Sequence, residues 1–284
     1  MTPAAPQDLV VTQATLADWP VISGWAAAEG WNPGLYDGPA FFAQDPDGFF
    51  LGRIDGEPVS AVSVVNHGDG FAFLGCYLVR PGLRGQGHGL TTWKTALAHA
   101  GSRTVGLDGV VAQQDNYRRS GFRFAHRTIR FTGPAPASEP PAGVRPAGPA
   151  DLAAITAYDS ACHPADRPRF LAAWLTTPGH QAVVRENDGR LTGYGVLRPG
   201  HDTLRIGPLF ADTAADARAL FAALTADVTG REVAIDVPEP NTAGTALAEQ
   251  AGLRPSFETA RMYTGPVRAH ARERVFGVTT LELG

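Results

Sequence analysis

Along the chain, apolar and polar positions alternate in short extended runs and amphipathic stretches that recur in a fixed order. Leu9–Thr12 is a short strand, and Asp18 is placed to cap a helix carrying Trp19, Ile22, Trp25 and Ala28. Trp31-Asn-Pro-Gly34 breaks that helix, and Phe41–Phe42 begins a second short stretch. Phe49–Ile54 and Pro58–Asn66 are strands joined by Asp55-Gly56, a hairpin turn signal. Gly68-Asp-Gly70 turns the chain into an apolar run, Phe71–Val79, broken only by Gly75. Pro81-Gly82 turns it again, and Arg84-Gly-Gln-Gly-His-Gly89 leads into a helix with Leu90, Trp93 and Leu97 on one face. Thr104–Val111 is a strand, Asp115–Ser120 a short helix closed by Gly121, and Phe122–Phe131 a returning strand.

After this the pattern starts again. Thr132–Gly143 holds four prolines and favours an extended linker. Beyond it Val144–Ile155 lines up with Val11–Ile22, and Gly252, Arg254, Thr259 and Arg261 match Gly121, Arg123, Thr128 and Arg130. Matches at both ends in nearly one register indicate a duplicated α/β unit. The expected division is 1–134, a linker 135–143, and a second unit 144–284. In that unit Asp151–Ala161, Arg169–Thr176, Thr213–Val228 and Thr242–Gln250 are helical; Gln181–Arg185, Leu191–Leu197, Thr203–Phe210 and Glu232–Val237 are strands, with Asp188-Gly189 a hairpin turn. Pro266–Gly284 has no counterpart in the first unit, and its Val275–Leu281 is apolar enough to pack back onto the body.

Strand, glycine loop and helix together outline an anion site, because a helix start offers unpaired N–H groups and a positive dipole end. The dinucleotide pattern G-x-G-x-x-G and the ATP loop G-x-x-x-x-G-K-[ST] both fail at Gly85, Gly87 and Gly89. What fits is R/Q-x-x-G-x-G/A, with Arg84, Gly87 and Gly89, and this resembles the pyrophosphate loop of the GCN5-related N-acetyltransferases (GNAT), which bind acetyl-CoA. The resemblance implies two tandem GNAT-like α/β domains, each a mixed central sheet flanked by helices. It places acetyl-CoA on Tyr77, Leu78 and Val79, on Arg84, Gly85, Gln86, Gly87, His88, Gly89 and Leu90, and on Asn116. Tyr117-Arg-Arg-Ser-Gly-Phe122 matches the family's Tyr-x-x-x-Gly-Phe, and the resemblance implies that Tyr117 is the general acid that protonates the leaving thiolate. The second unit has Ala248 at that place, and an offset of 131 residues puts Arg218 and Leu220 where Gly87 and Gly89 stand, so it is expected not to hold CoA the same way. Gly106–Phe122, Trp31-Asn-Pro-Gly34, Ile235–Asn241, Arg261-Met262 and Leu281–Gly284 are similar to the YitH-like tandem acetyltransferases over nearly the whole chain. That likeness names no acceptor.

The totals narrow the class. A chain of 284 residues with 44% hydrophobic and 18% charged residues is globular, and a net charge of −4 argues against nucleic acid as a partner. Cys76 and Cys162 imply neither a disulfide framework nor a metal site, and the histidines, His163 and His201 among them, lack ligand spacing. Met1–Asp8 lacks the basic n-region and apolar core of a signal peptide and no run reaches membrane-spanning length, so the expectation is a cytoplasmic protein, a monomer or homodimer. The expected reaction is acyl transfer to the amine of a small-molecule acceptor entering between the units, with Trp31, Asp236, Asn241 and Arg261 as candidate contacts. Trp25 and Tyr36 are further candidates for lining the cleft. No carboxylate lies on Phe71–Val79, so the base is unassigned among His67, Asp108, Glu29 and Asp37. The alternative from another class is an acyl-CoA-binding sensor or partner-binding protein without turnover.

Overall fold

The structure is a computed structural model that describes residues 8–139 and 141–284. Most of the N-terminal stretch read for a signal peptide (residues 1–7), and Pro140 of the linker, lie outside the described residues. The first half runs β1 (Val10–Gln13), α1 (Trp19–Ala28), α2 (Gly38–Gln44), β2 (Phe49–Ile54), β3 (Glu57–His67), β4 (Phe71–Val79), α3 (His88–Ala98), β5 (Thr104–Val110), α4 (Gln114–Arg119) and β6 (Arg123–Pro134). The second repeats the order: β7 (Val144–Pro146), α5 (Leu152–Cys162), α6 (Pro168–Trp174), β8 (Gln181–Asn187), β9 (Arg190–Pro199), β10 (Leu204–Ala211), α7 (Ala214–Thr225), β11 (Glu232–Pro238), α8 (Thr242–Gln250) and β12 (Arg254–Tyr263). An extra strand, β13 (Val275–Gly277), follows.

Local chemistry accounts for the boundaries. Asp55-Gly56 and Asp188-Gly189 all have positive φ, the conformation a tight hairpin between twisted strands requires. Gly121 and Gly252 leave α4 and α8 in the left-handed region (φ +90 and +83). Asn241 caps α8 by accepting from the Gly244 N–H at 3.0 Å. β6 extends through Pro134, so the first residues of the proline-rich stretch are strand rather than linker.

The two halves share one sheet. Its order is β1-β2-β3-β4-β5-β12-β6-β11-β10-β9-β8-β7, with β13 on β10. Each half has therefore given its last strand to the other: β12 pairs with β5, and β6 pairs with β11. The two exchanged strands lie side by side, Thr128 opposite Thr259. Among the described residues three larger cores follow from this arrangement, with a small fourth cluster at Phe71, Phe73 and Ala165. A central one mixes Trp19, Ile22 and Phe41 of the first half with Phe170, Trp174 and Tyr194 of the second, and the Phe41 and Trp174 rings stack at 6.3 Å. A second lies under α7 and α8, and a third under α3 and α4 around Trp93, Tyr117 and Met262.

The exchange is fastened by matching ion pairs. Arg130 on β6 grips Asp236 on β11 through two bonds of 2.7 and 3.1 Å, and Arg261 on β12 grips Asp108 on β5 at 3.0 and 2.6 Å. Both pairs are buried, and each joins one half to the other.

Candidate active site

Between β4 and β5 the sheet opens. The two strands pair in parallel only from Phe71 with Thr104 to Leu74 with Leu107, and β4 then bulges: Cys76 has φ +49 and the register to β3 shifts. Past that point the strands part, and a cavity of about 460 Å³ occupies the wedge. Leu74 to Val79 form one wall and Leu107 to Val110 the other.

The wide end of the wedge is closed by the glycine loop and the first turn of α3. Gly85 and Gly87 have φ of +76 and +87, and a Cβ at either would meet nothing within 4 Å. Both glycines line the cavity. Thr91 is the first N–H of the region to bond back, to the Gly87 carbonyl at 3.0 Å, while the N–H groups from Gly85 to Leu90 have no partner among the described residues. Several unpaired donors at a helix start with open space before them fit a phosphate. Gly89 serves packing instead, since a Cβ there would collide with Val79 and the Tyr77 hydroxyl. Arg84 is tied down by its bond to the Val79 carbonyl and an ion pair with Glu29.

Tyr117 stands on α4 at the β5 side. Its ring stacks on Trp93 at 5.7 Å and lies against Gly109, where any side chain would collide with it. Burial, with Tyr77 nearby, raises the phenol above its ordinary range, so it stays protonated at neutral pH. The residue lines the cavity, and no bond to its hydroxyl occurs among the described residues. A buried, protonated and uncommitted phenol at the cavity wall can donate to a developing anion.

Of the expected cofactor residues, Tyr77, Leu78, Val79, Arg84, Gly85, Gly87, Gly89, Leu90 and Asn116 line the cavity, while Gln86 and His88 do not. Leu90 is about half exposed at the rim rather than under the helix. Trp31 lines the inner end. The other expected acceptor residues are placed elsewhere. Asp236 is buried between Arg130 and Arg205. Asn241 spends its side chain on the Gly244 N–H and the carbonyls of Glu273 and Val275. Arg261 is held by Asp108. Among the base candidates, Glu29 and Asp108 line the cavity; His67 and Asp37 do not. Burial lowers the His67 imidazole to about 3, so it is neutral. Tyr36 is exposed at the surface, and Trp25 packs on the central core.

The second half supplies lining that sequence patterns do not announce: Phe257, Thr259, Leu281 and Glu282. The one available signal was Glu282 itself, a lone carboxylate in an apolar terminal run.

The corresponding wedge of the second half is filled. β10 and β11 pair in parallel only from Leu204 to Ile206, yet β13 lies in the gap beyond, paired with β10 and bonded through the Val278 N–H to the Asp236 carbonyl at 2.9 Å. Only Asp212 and Thr213 separate β10 from α7, against residues 80–87 before α3. Arg218 accordingly lies inside α7 and not at its cap, because the shorter connection breaks the constant offset. The Thr213 hydroxyl accepts the Asp216 N–H at 3.1 Å, and the Asp216 carboxylate occupies the helix start.

Among the described residues no helix is long and apolar enough to cross a membrane, and no group of three His, Cys, Asp or Glu could hold a metal ion. A sequence model described as "Acetyltransferase (GNAT) family" matches residues 13–122, and one described as "Acetyltransferase (GNAT) domain" matches residues 155–277. The chain is 35% identical over 274 residues to the holothin acyltransferase of Pseudoalteromonas sp. (strain SANK 73390), covering 95% of this chain and 93% of that one. In fold it is similar to a putative acetyltransferase from Pyrococcus horikoshii (TM-score 0.83, 21% identity, 100% and 99% of the two chains). It is also similar to a tandem GNAT protein from the clavulanic acid biosynthesis pathway (TM-score 0.64, 16% identity, 91% and 99%). With both halves matched and a relative aligned nearly end to end, the chain belongs to the GNAT family as an acyltransferase built of two GNAT domains in tandem.

Proposed function

We propose that the chain transfers an acetyl group from acetyl-CoA to the amine of a small-molecule acceptor, in one direct step with Tyr117 as general acid. The observation that carries this reading is the meeting, in one cavity, of an unpaired N–H loop and an uncommitted, protonated phenol. The loop from Gly85 to Leu90 holds the pyrophosphate, and the parted edges of β4 and β5 take the acyl arm. As the amine adds to the thioester carbonyl and the C–S bond breaks, Tyr117 gives its proton to the departing sulfur. One CoA binds per chain, since β13 fills the second wedge. The acceptor approaches from the side where Trp31, Phe257 and Leu281 give an apolar surface, so Trp31 contributes to it while Asp236, Asn241 and Arg261 hold the frame.

A relative named as a holothin acyltransferase supports acyl transfer and makes holothin one acceptor to try. CoA release, followed by thiol detection with acetyl-CoA across a panel of primary amines and with holothin beside them, tests the reading. Turnover on at least one member is expected. Tight CoA binding with no release on any member would favour a binding protein instead.

A further inference from the structure

The wedge between β4 and β5 receives a carboxylate from the other half of the molecule. We propose that Glu282 accepts the proton of the acceptor amine, as the general base of the transfer; this rests on the reading above. The segment after β13 passes both wedges in turn. Gly207 admits the carbonyls of Val278 and Thr279, and Gly75 admits that of Glu282, since a Cβ at either glycine would collide with them. Glu282 is thereby fixed beside the β4 bulge, at the cavity wall.

Three carboxylates line this cavity, and two are engaged. Asp108 is gripped by Arg261 and Glu29 is paired with Arg84. Glu282 is 4% exposed, its Oε2 is buried without a hydrogen-bond partner, and no bond to its other oxygen occurs among the described residues. A buried carboxylate left this way is costly unless something else supplies its partner. An amine in the cavity would do so. The arginines nearby are held by other groups: Arg130 and Arg205 by Asp236, Arg198 by Asp37. They make ionisation possible without claiming the oxygens.

The step balances. Nitrogen attacks the acyl carbon and forms the C–N bond, Glu282 takes one proton from that nitrogen, the C–S bond breaks, and sulfur takes the Tyr117 proton. Glu282 then loses its proton to solvent, and the tyrosinate regains one. Burial raises the Glu282 carboxyl, and Asp37 adds to this, while Arg205, Arg198 and Arg130 oppose it; Cys76 on β4 is the remaining ionisable neighbour.

The test compares wild type, Glu282→Gln and Glu282→Asp, with acetyl-CoA and the amine that turns over best. In Glu282→Gln, kcat should fall by about 10²-fold or more, with acetyl-CoA affinity by calorimetry and melting temperature unchanged. The acid limb of kcat/KM, placed above the ordinary glutamate range in wild type, should vanish, and Glu282→Asp should recover part of the rate. If Glu282→Gln keeps the wild-type rate, or loses only stability and retains the acid limb, Glu282 is not the base. If wild type releases no CoA on any amine, the acetyltransferase reading falls first and this proposal with it.

Discussion

Replacing Tyr117 by Phe leaves the ring on Trp93 and against Gly109 and removes one proton. We expect kcat to fall about 10²–10⁴-fold, with acetyl-CoA affinity and melting temperature nearly constant. Full activity in the variant would reduce Tyr117 to packing. Asp236 offers the opposite case, a residue whose loss is felt in stability. Burial alone would raise its carboxyl, but Arg130 and Arg205 outweigh this and hold it at about 2 against an ordinary 3.8. Its contribution is therefore complete above pH ~4 and lost as pH falls toward 2. Asp236→Asn would leave two buried guanidinium groups without their counter-charge, at a cost of about 3–5 kcal/mol. Melting temperature at neutral pH should drop, and the variant's stability should vary less than wild type's between pH 4 and 2.

Among the elements, the loop and its strand were the most legible part of the sequence. Phe71–Val79 emerges with the bounds its apolar run predicts, and Gly87 sits at the helix cap with φ +87. Gly87→Val should abolish CoA binding in calorimetry, since a branched side chain resists that φ and would stand in the ligand's space. Unchanged affinity would remove the loop from the site. The repeat was legible too, through the matched Arg130 and Arg261, but their partners were not. Offset arithmetic finds equivalent residues, and nothing in it shows that a terminal strand pairs across the repeat. Glu282 stayed hidden for a similar reason. Its place depends on glycines at 75 and 207 and on a segment outside the repeat, contacts far apart in sequence with no local pattern.

At the scale of the molecule, the halves should melt together. β12 covers β5, β6 lies between β12 and β11, and Phe41 packs on Trp174. Residues 1–134 alone should give no cooperative transition by circular dichroism, and adding residues 144–284 should restore one; a folded, active fragment would contradict the exchange. Acid should weaken the whole early. Burial lowers the imidazoles of His67 and His126 to about 3 and of His180 to about 4, from an ordinary 6.5. The folded chain keeps them neutral while the unfolded chain takes up protons, so stability declines as pH falls from about 6.5 toward 3. Thermal melts across that range should show the decline, and His67→Phe should flatten part of it.

The traded strands also bear on ancestry. Without the connection at 135–143, the drawing is that of a homodimer whose subunits swap their final strands, and the present chain is what joining two such genes would leave. After such a fusion each half is a lodger in the other's architecture. The second copy could shed its anion loop and let β13 settle in the vacated wedge, but it could not drift at β12 or Arg261 without unseating Asp108 in its sibling. Selection on the one working wedge would then preserve both halves, strand for strand, because each supplies part of its wall.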